Sequence, residues 1–161
     1  MAGNERGGAR TGRARLVGLI ERLGSGPVAV DTAIFIYLIE EHAVYLPEIE
    51  PLFEEAAAGR RELVTSSLTL LELLVMPYRN GNRRLAAQYE AILTQGRGIR
   101  MVDISLEHLR IAAQLRAAPK IQTPDALQIA AALDQRCRVF LTNDRRVPDV
   151  AGLRVVTLAA A

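Results

Sequence analysis

Five short apolar runs, Val28 to Val30, Glu62 to Thr65, Ile99 to Val102, Val139 to Thr142 and Leu153 to Leu158, alternate with stretches whose apolar residues recur at helical spacing. That alternation leaves few architectures, because parallel strands must be joined by crossovers of a dozen or more residues and a helix is the usual one. The expected fold is α/β, a single domain built on a five-stranded, mostly parallel sheet flanked by helices. At 161 residues, 50% of them hydrophobic, the chain can fill one core and not two comfortably.

The first run carries the most chemistry. Val28, Ala29 and Val30 lead into Asp31, and Thr32 to Glu40 read as the start of a helix. A carboxylate at this junction has two readings. It can cap the helix by accepting backbone N–H bonds, or it can lie in the crevice beyond the strand ends, where open parallel sheets bind ligands. Further along, Pro47 to Ala58 is expected to be a helix with Ile49, Leu52, Phe53 and Ala56 inward, closed by Gly59. Ser66 or Ser67 can cap a helix running to Met76, which Pro77 and Asn80-Gly81 should end. Arg83 to Gln95 has one apolar face, and Ser105 is positioned to cap a helix to Ala118. Thr123-Pro124-Asp125 reads as a third such start, with Thr as the cap and Asp at the positive end of the dipole.

Residues 1–24 are expected to form a flexible basic arm and a short helix, with the folded domain over 25–161, because Met1 to Arg15 is too rich in Gly and Arg to bury much surface. No run is long enough to span a membrane, and the N-terminus lacks the apolar segment of a secretory signal. Cys137 is the only cysteine, which excludes an internal disulfide and fits a cytoplasmic location. His42 and His108 are too few for a histidine metal site and are expected at the surface.

Four acids stand out. Asp31 and Asp144 follow apolar strands, and Asp125 opens a helix aimed at the same sheet edge. Each also has a structural reading, as cap, turn former and dipole partner respectively. Glu72 is set among Leu70, Leu71, Leu73, Leu74, Val75 and Met76, where a carboxylate needs a cation, a donor or an opening to water. A salt bridge to an arginine would satisfy it structurally. Taken together, converging carboxylates repel one another unless a hard cation sits between them, and with no His or Cys to add, Mg²⁺ or Mn²⁺ fits better than Zn²⁺. The chemistry this implies is phosphodiester hydrolysis.

The segments VAVDTAIFIYLIE with Asp31, TLLELLV with Glu72, TPDALQIAAAL with Asp125 and VFLTNDRRV with Asp144 follow one another between Val28 and Leu158. In this the sequence resembles the PIN-domain ribonucleases, and among them the toxins of VapBC toxin–antitoxin pairs. The resemblance implies a metal-dependent endoribonuclease whose catalytic and metal-chelating acids are Asp31, Glu72, Asp125 and Asp144. It implies supporting roles for Thr142 and Asn143, a homodimer, and a cognate antitoxin as partner. This chain departs from the family pattern at Val147 and Pro148, where an aromatic residue is common, and in the length of its N-terminal arm.

Arg145 and Arg146 adjoin Asp144 and are the favoured RNA backbone contacts, with Arg79, Arg83, Arg84 and Lys120 as further candidates. No Trp, four Tyr and three Phe argue against a base-stacking platform. The Arg83 to Gln95 helix, with Tyr89, Ile92 and Leu93, is a candidate dimer contact. An antitoxin groove is expected from Ile34, Tyr37, Leu38, Leu52 and Phe53, rimmed by the six glutamates between Glu40 and Glu55. Two rivals are weighed. A haloacid-dehalogenase-like phosphatase would need a second Asp where Ala33 stands, and a non-catalytic PIN-like scaffold for RNA or protein would not need all four acids.

Overall fold

The apolar runs are rich in valine and leucine and are bounded by glycine or polar residues, so they pair as strands, while the longer amphipathic stretches between them bury one face as helices. In the computed structural model, which describes residues 18–118 and 120–159, the strands are β1 (Val28–Val30), β2 (Leu63–Ser66), β3 (Ile99–Val102), β4 (Val139–Thr142) and β5 (Arg154–Thr157). The helices are α1 (residues 18–23), α2 (Thr32–Ile39), α3 (Leu46–Ala57), α4 (Leu68–Arg79), α5 (Arg83–Gln95), α6 (Leu106–Arg116) and α7 (Thr123–Asp134). The strand order is β3-β2-β1-β4-β5, and all four neighbouring pairs are parallel. The chain therefore winds one way from β1 to β3 and the other way from β4 to β5, and the reversal falls between β1 and β4.

Alternation along the strands divides the core in two. Val28, Val30, Leu63, Val139 and Leu141 face a layer with Leu19 and Leu23 of α1, Ile34 and Phe35 of α2, Ile49 and Leu52 of α3 and Leu93 of α5. Ala29, Val64 and Phe140 face the other layer, with Ala112 of α6 and Ala126, Ile129 and Ala130 of α7. Full burial of each large side chain contributes about 1.5–3 kcal/mol. The expected basic arm over Met1 to Arg15 lies outside the described residues.

Several local expectations are corrected. Helix α4 does not stop before Pro77 but runs one more turn to Arg79, with Pro77 buried inside it. The Asn82 backbone N–H meets the Pro77 carbonyl at 2.8 Å. Proline lacks the amide that would continue the ladder, so its place inside α4 costs one bond. The cap of α7 is Gln122 rather than Thr123. His108 is buried, with Nε2 2.9 Å from an Asp134 oxygen. Tyr89 and Leu93 belong to the core rather than to a surface of α5, and Ile34 and Leu52 are fully buried rather than lining a groove. Glu48 is buried too, accepting from the Ala159 amide at 2.8 Å, and so does not rim one.

Candidate active site

A parallel sheet opens a crevice beyond its strand ends wherever the winding direction reverses. Here that place is the carboxyl end of β1 and β4, and Asp31 and Thr142 occupy it. The Asp31 amide donates to the Leu141 carbonyl at 2.9 Å, which ties the two strand ends together. Both readings of Asp31 hold at once. It caps α2 in an extended conformation (φ −75°, ψ 157°), with Oδ1 accepting from the Thr32 amide at 2.8 Å. Its Oδ2 faces β4 and accepts from the Thr142 hydroxyl at 2.6 Å.

Glu72 reaches the same space from the second turn of α4. It is half-buried, and its Oε1 accepts from the Thr32 hydroxyl at 2.9 Å. Among the described residues no arginine or lysine pairs with it. Asp125, in the first turn of α7, is also half-buried. Asp144 follows β4 in a turn set by the Thr142 hydroxyl, which accepts from the Asp144 amide at 3.0 Å. Asn143 donates from Nδ2 to the Tyr37 phenolic oxygen at 2.9 Å.

Burial and mutual repulsion shift three of these acids in the same direction. Burial raises the pKa of Asp31 first, and the nearby Asp144 charge adds to it against the hydrogen bonds from Thr142 and Thr32. Burial likewise raises Glu72, opposed by the Thr32 hydrogen bond and reinforced by Asp31 and Asp125. Asp125 is raised by burial and then by the charges of Asp31 and Asp144. Asp144 moves the other way. Arg146 binds its carboxylate from both sides, through Nε at 3.0 Å and Nη2 at 2.8 Å, with the Arg146 amide at 2.9 Å, and holds its pKa low.

An all-oxygen, mutually repelling donor set is the kind that takes a hard divalent cation. As placed, the carboxylates do not close on one point: among the described residues, no group of three or more Asp, Glu, His or Cys side chains stands ready to hold an ion. Each of three has a protein partner instead: Asp31 is held by Thr142, Glu72 by Thr32 and Asp144 by Arg146.

Arg145 and Arg146 lie at the surface beside Asp144, and the Arg146 side chain is 90% exposed. Arg79, Arg83, Arg84 and Lys120 are exposed as well, on α4, α5 and the approach to α7. Asp149 is drawn away from the acids, accepting from the Val155 amide at 2.6 Å.

Four buried polar residues that the sequence does not single out support the acids. Thr69 donates to Thr65 (2.7 Å), Thr65 donates to the Val30 carbonyl (2.9 Å), and the Gln128 amide donates to Thr69 (2.6 Å). Thr32, whose hydroxyl holds Glu72, lies 3.3 Å from Thr69. The one sequence signal was Gln128 itself, a long polar side chain within an otherwise apolar stripe three residues after Asp125.

A family model described as "PIN domain" matches residues 28–153 of the chain. No curated protein sequence matches. Among solved structures, the chain is similar to VapBC from Salmonella typhimurium bound to DNA, at 22% identity and a TM-score of 0.63, over 83% of this chain and 99% of that one. It is similar to VapBC2 from Rickettsia felis bound to a promoter DNA fragment, at 19% identity and 0.60, over 81% and 98%. It is also similar to VapC20 from Mycobacterium tuberculosis, described as a sarcin–ricin loop cleaving toxin, at 16% identity and 0.58, over 70% and 86%.

Proposed function

The chain belongs to the PIN-domain family, and on that premise we propose that it is a divalent-metal-dependent endoribonuclease and the toxin of a toxin–antitoxin pair. The observation that carries the reading is the gathering of Asp31, Glu72, Asp125 and Asp144 around the carboxyl ends of β1 and β4, where the sheet reverses and Thr142 and Thr32 hold two of them. Carboxylates are seldom packed this way without a cation to bind.

In this reading Asp31, Glu72, Asp125 and Asp144 hold Mg²⁺ or Mn²⁺, which when bound offsets phosphate charge and activates a water. The chain's own groups do the positioning. Thr142 and the Thr32 amide fix the two oxygens of Asp31, and the Thr32 hydroxyl fixes one oxygen of Glu72. Glu72 and Asp125, partly open to solvent, complete the set. Arg145, exposed beside Asp144, would contact a flanking phosphate. Arg146 must leave Asp144 before that carboxylate can serve as a ligand.

RNA as substrate is supported by the similarity to a toxin described as cleaving the sarcin–ricin loop. An antitoxin partner is supported by the similarity to structures that are toxin–antitoxin complexes. For a homodimer, the apolar surface on offer is on α4 and at the start of α6. Leu71, Val75 and Tyr78, spaced as one helical face, are exposed there, as are Leu106 and Leu109.

The test is cleavage of RNA by the purified full chain with Mg²⁺ or Mn²⁺ and with a chelator. Asp31→Asn is expected to fold and to lose more than about a hundredfold in rate, beyond what outer-shell partners of a metal usually cost. Undiminished metal-dependent cutting by Asp31→Asn, or no cutting by the wild type with either ion, would overturn the reading.

A further inference from the structure

We propose that Tyr37, His42 and Tyr45 form a nucleobase-stacking subsite beside the acids, so that the site reads one base next to the bond it cuts; this rests on the ribonuclease reading above. Composition argues against such a platform, since tyrosine and phenylalanine are few and tryptophan is absent. The fold nonetheless gathers three rings at one point. Tyr37 and Tyr45 have centroids 4.5 Å apart at 33°, His42 stacks on Tyr45 at 4.7 Å and 27°, and Tyr37 meets His42 at 5.1 Å. His42 is exposed, and both tyrosines are partly so while packing against the first core layer, which anchors the group and leaves its outer side open.

One contact and one spacing put Tyr37 near the acids. The Tyr37 phenolic oxygen accepts from Asn143, the residue before Asp144. Tyr37 also sits six residues along α2 from Asp31, about 9 Å at the helical rise of 1.5 Å per residue. The rings are preset: His42 Nδ1 accepts from the Val44 and Tyr45 amides at 3.3 and 3.4 Å, so its neutral form carries the proton on Nε2. No arginine or lysine lies between Tyr37 and Tyr45 in sequence, while Glu40 and Glu41 do, with Glu40 accepting from the Tyr89 hydroxyl at 2.7 Å. Carboxylates there disfavour a phosphate but not an uncharged base face, and base–aromatic stacking tolerates any base.

The experiment uses the full chain with Mg²⁺ or Mn²⁺ and a single-stranded RNA whose cut position has been mapped. Cutting of the intact RNA by the wild type tests the nuclease reading alone. The same RNA is then made with an abasic ribose at each nucleotide flanking the cut, and kcat and KM are measured for the wild type and for Tyr45→Leu. One flanking abasic position is expected to raise KM about five- to a hundredfold, the range of one lost stack, with a smaller change in kcat. Tyr45→Leu should raise KM on intact RNA by a similar factor and add little to the loss at that position, because both changes remove the same contact. Independent, multiplying losses would overturn the proposal, as would an abasic scan on the wild type in which no flanking position matters. If Tyr45→Leu does not fold, His42→Ala, at the exposed ring, takes its place in the same comparison. A wild type that cuts no RNA would end the nuclease reading and the subsite with it.

Discussion

Thr32 and Thr142 are single hydroxyls, yet between them they orient Glu72 and Asp31. Outer-shell partners of metal ligands are typically worth 10–100-fold in affinity. Thr142→Val is therefore expected to weaken Mn²⁺ binding by about that factor, as read by calorimetry, while its buried methyl groups keep the fold. Asp31 itself has a cost that pH reveals. Burial raises its pKa above the ordinary 3.8, so the folded chain favours the proton and the unfolded chain does not. Its contribution to stability is then fully present below the unfolded value and lost as pH rises through the higher folded one. Without metal, Asp31→Asn should melt above the wild type at pH 7, and the gap should shrink as pH falls toward 4. A constant gap across that range in chelator would remove the burial argument. Asp144, held low by Arg146, runs the opposite way, with stability present above its unfolded pKa and lost as pH falls through the lowered one.

Elements show what local pattern can and cannot convey. β1, β3 and β4, and helix α5, lie where their periodicity puts them, because each is a regular run with a clear stop at its ends. Asp31, Glu72, Asp125 and Asp144 could be picked out by their odd placement against apolar runs. What stayed illegible depends on partners distant in sequence. His108 looks like a surface residue until Asp134, on another helix, meets it. The Thr65–Thr69–Gln128 relay is spread over three elements, and the three rings lie on α2, on the turn after it and at the cap of α3. Helical spacing also cannot say which apolar face is outward, so Tyr89 and Leu93 turned out to be core while Leu71 is 61% exposed. That face of α4 has its own consequence. Leu71→Arg with Val75→Arg should leave the melting temperature within a few degrees of wild type, since neither side chain is fully buried. If the face joins two copies, light scattering should show the dimer mass fall to that of a monomer. A dimer that survives both changes would place the contact elsewhere.

For the molecule as a whole, the acids are a source of internal repulsion that a bound cation would relieve. An ion that binds only the folded state stabilises it by mass action, about 2.7 kcal/mol at a hundred times its dissociation constant. In a chain of this size that is a rise in melting temperature of roughly 5–10 °C. Adding Mn²⁺ at pH 7 is expected to produce such a rise, and chelator to reverse it. A melting curve indifferent to both ions would count against the proposed ligand set. The winding order bears on when this site can exist at all. β1 is made early but its second neighbour, β4, is made late, and the Thr142 hydrogen bond to Asp31 spans 111 residues of sequence. Until β4 and the turn after it have been made, β1 has one bare edge, Asp31 lacks its clasp and the fourth acid has not arrived. A partly made copy therefore lacks the complete set of acids, and on the reading proposed above its cutting site forms only once β4 and Asp144 have been added.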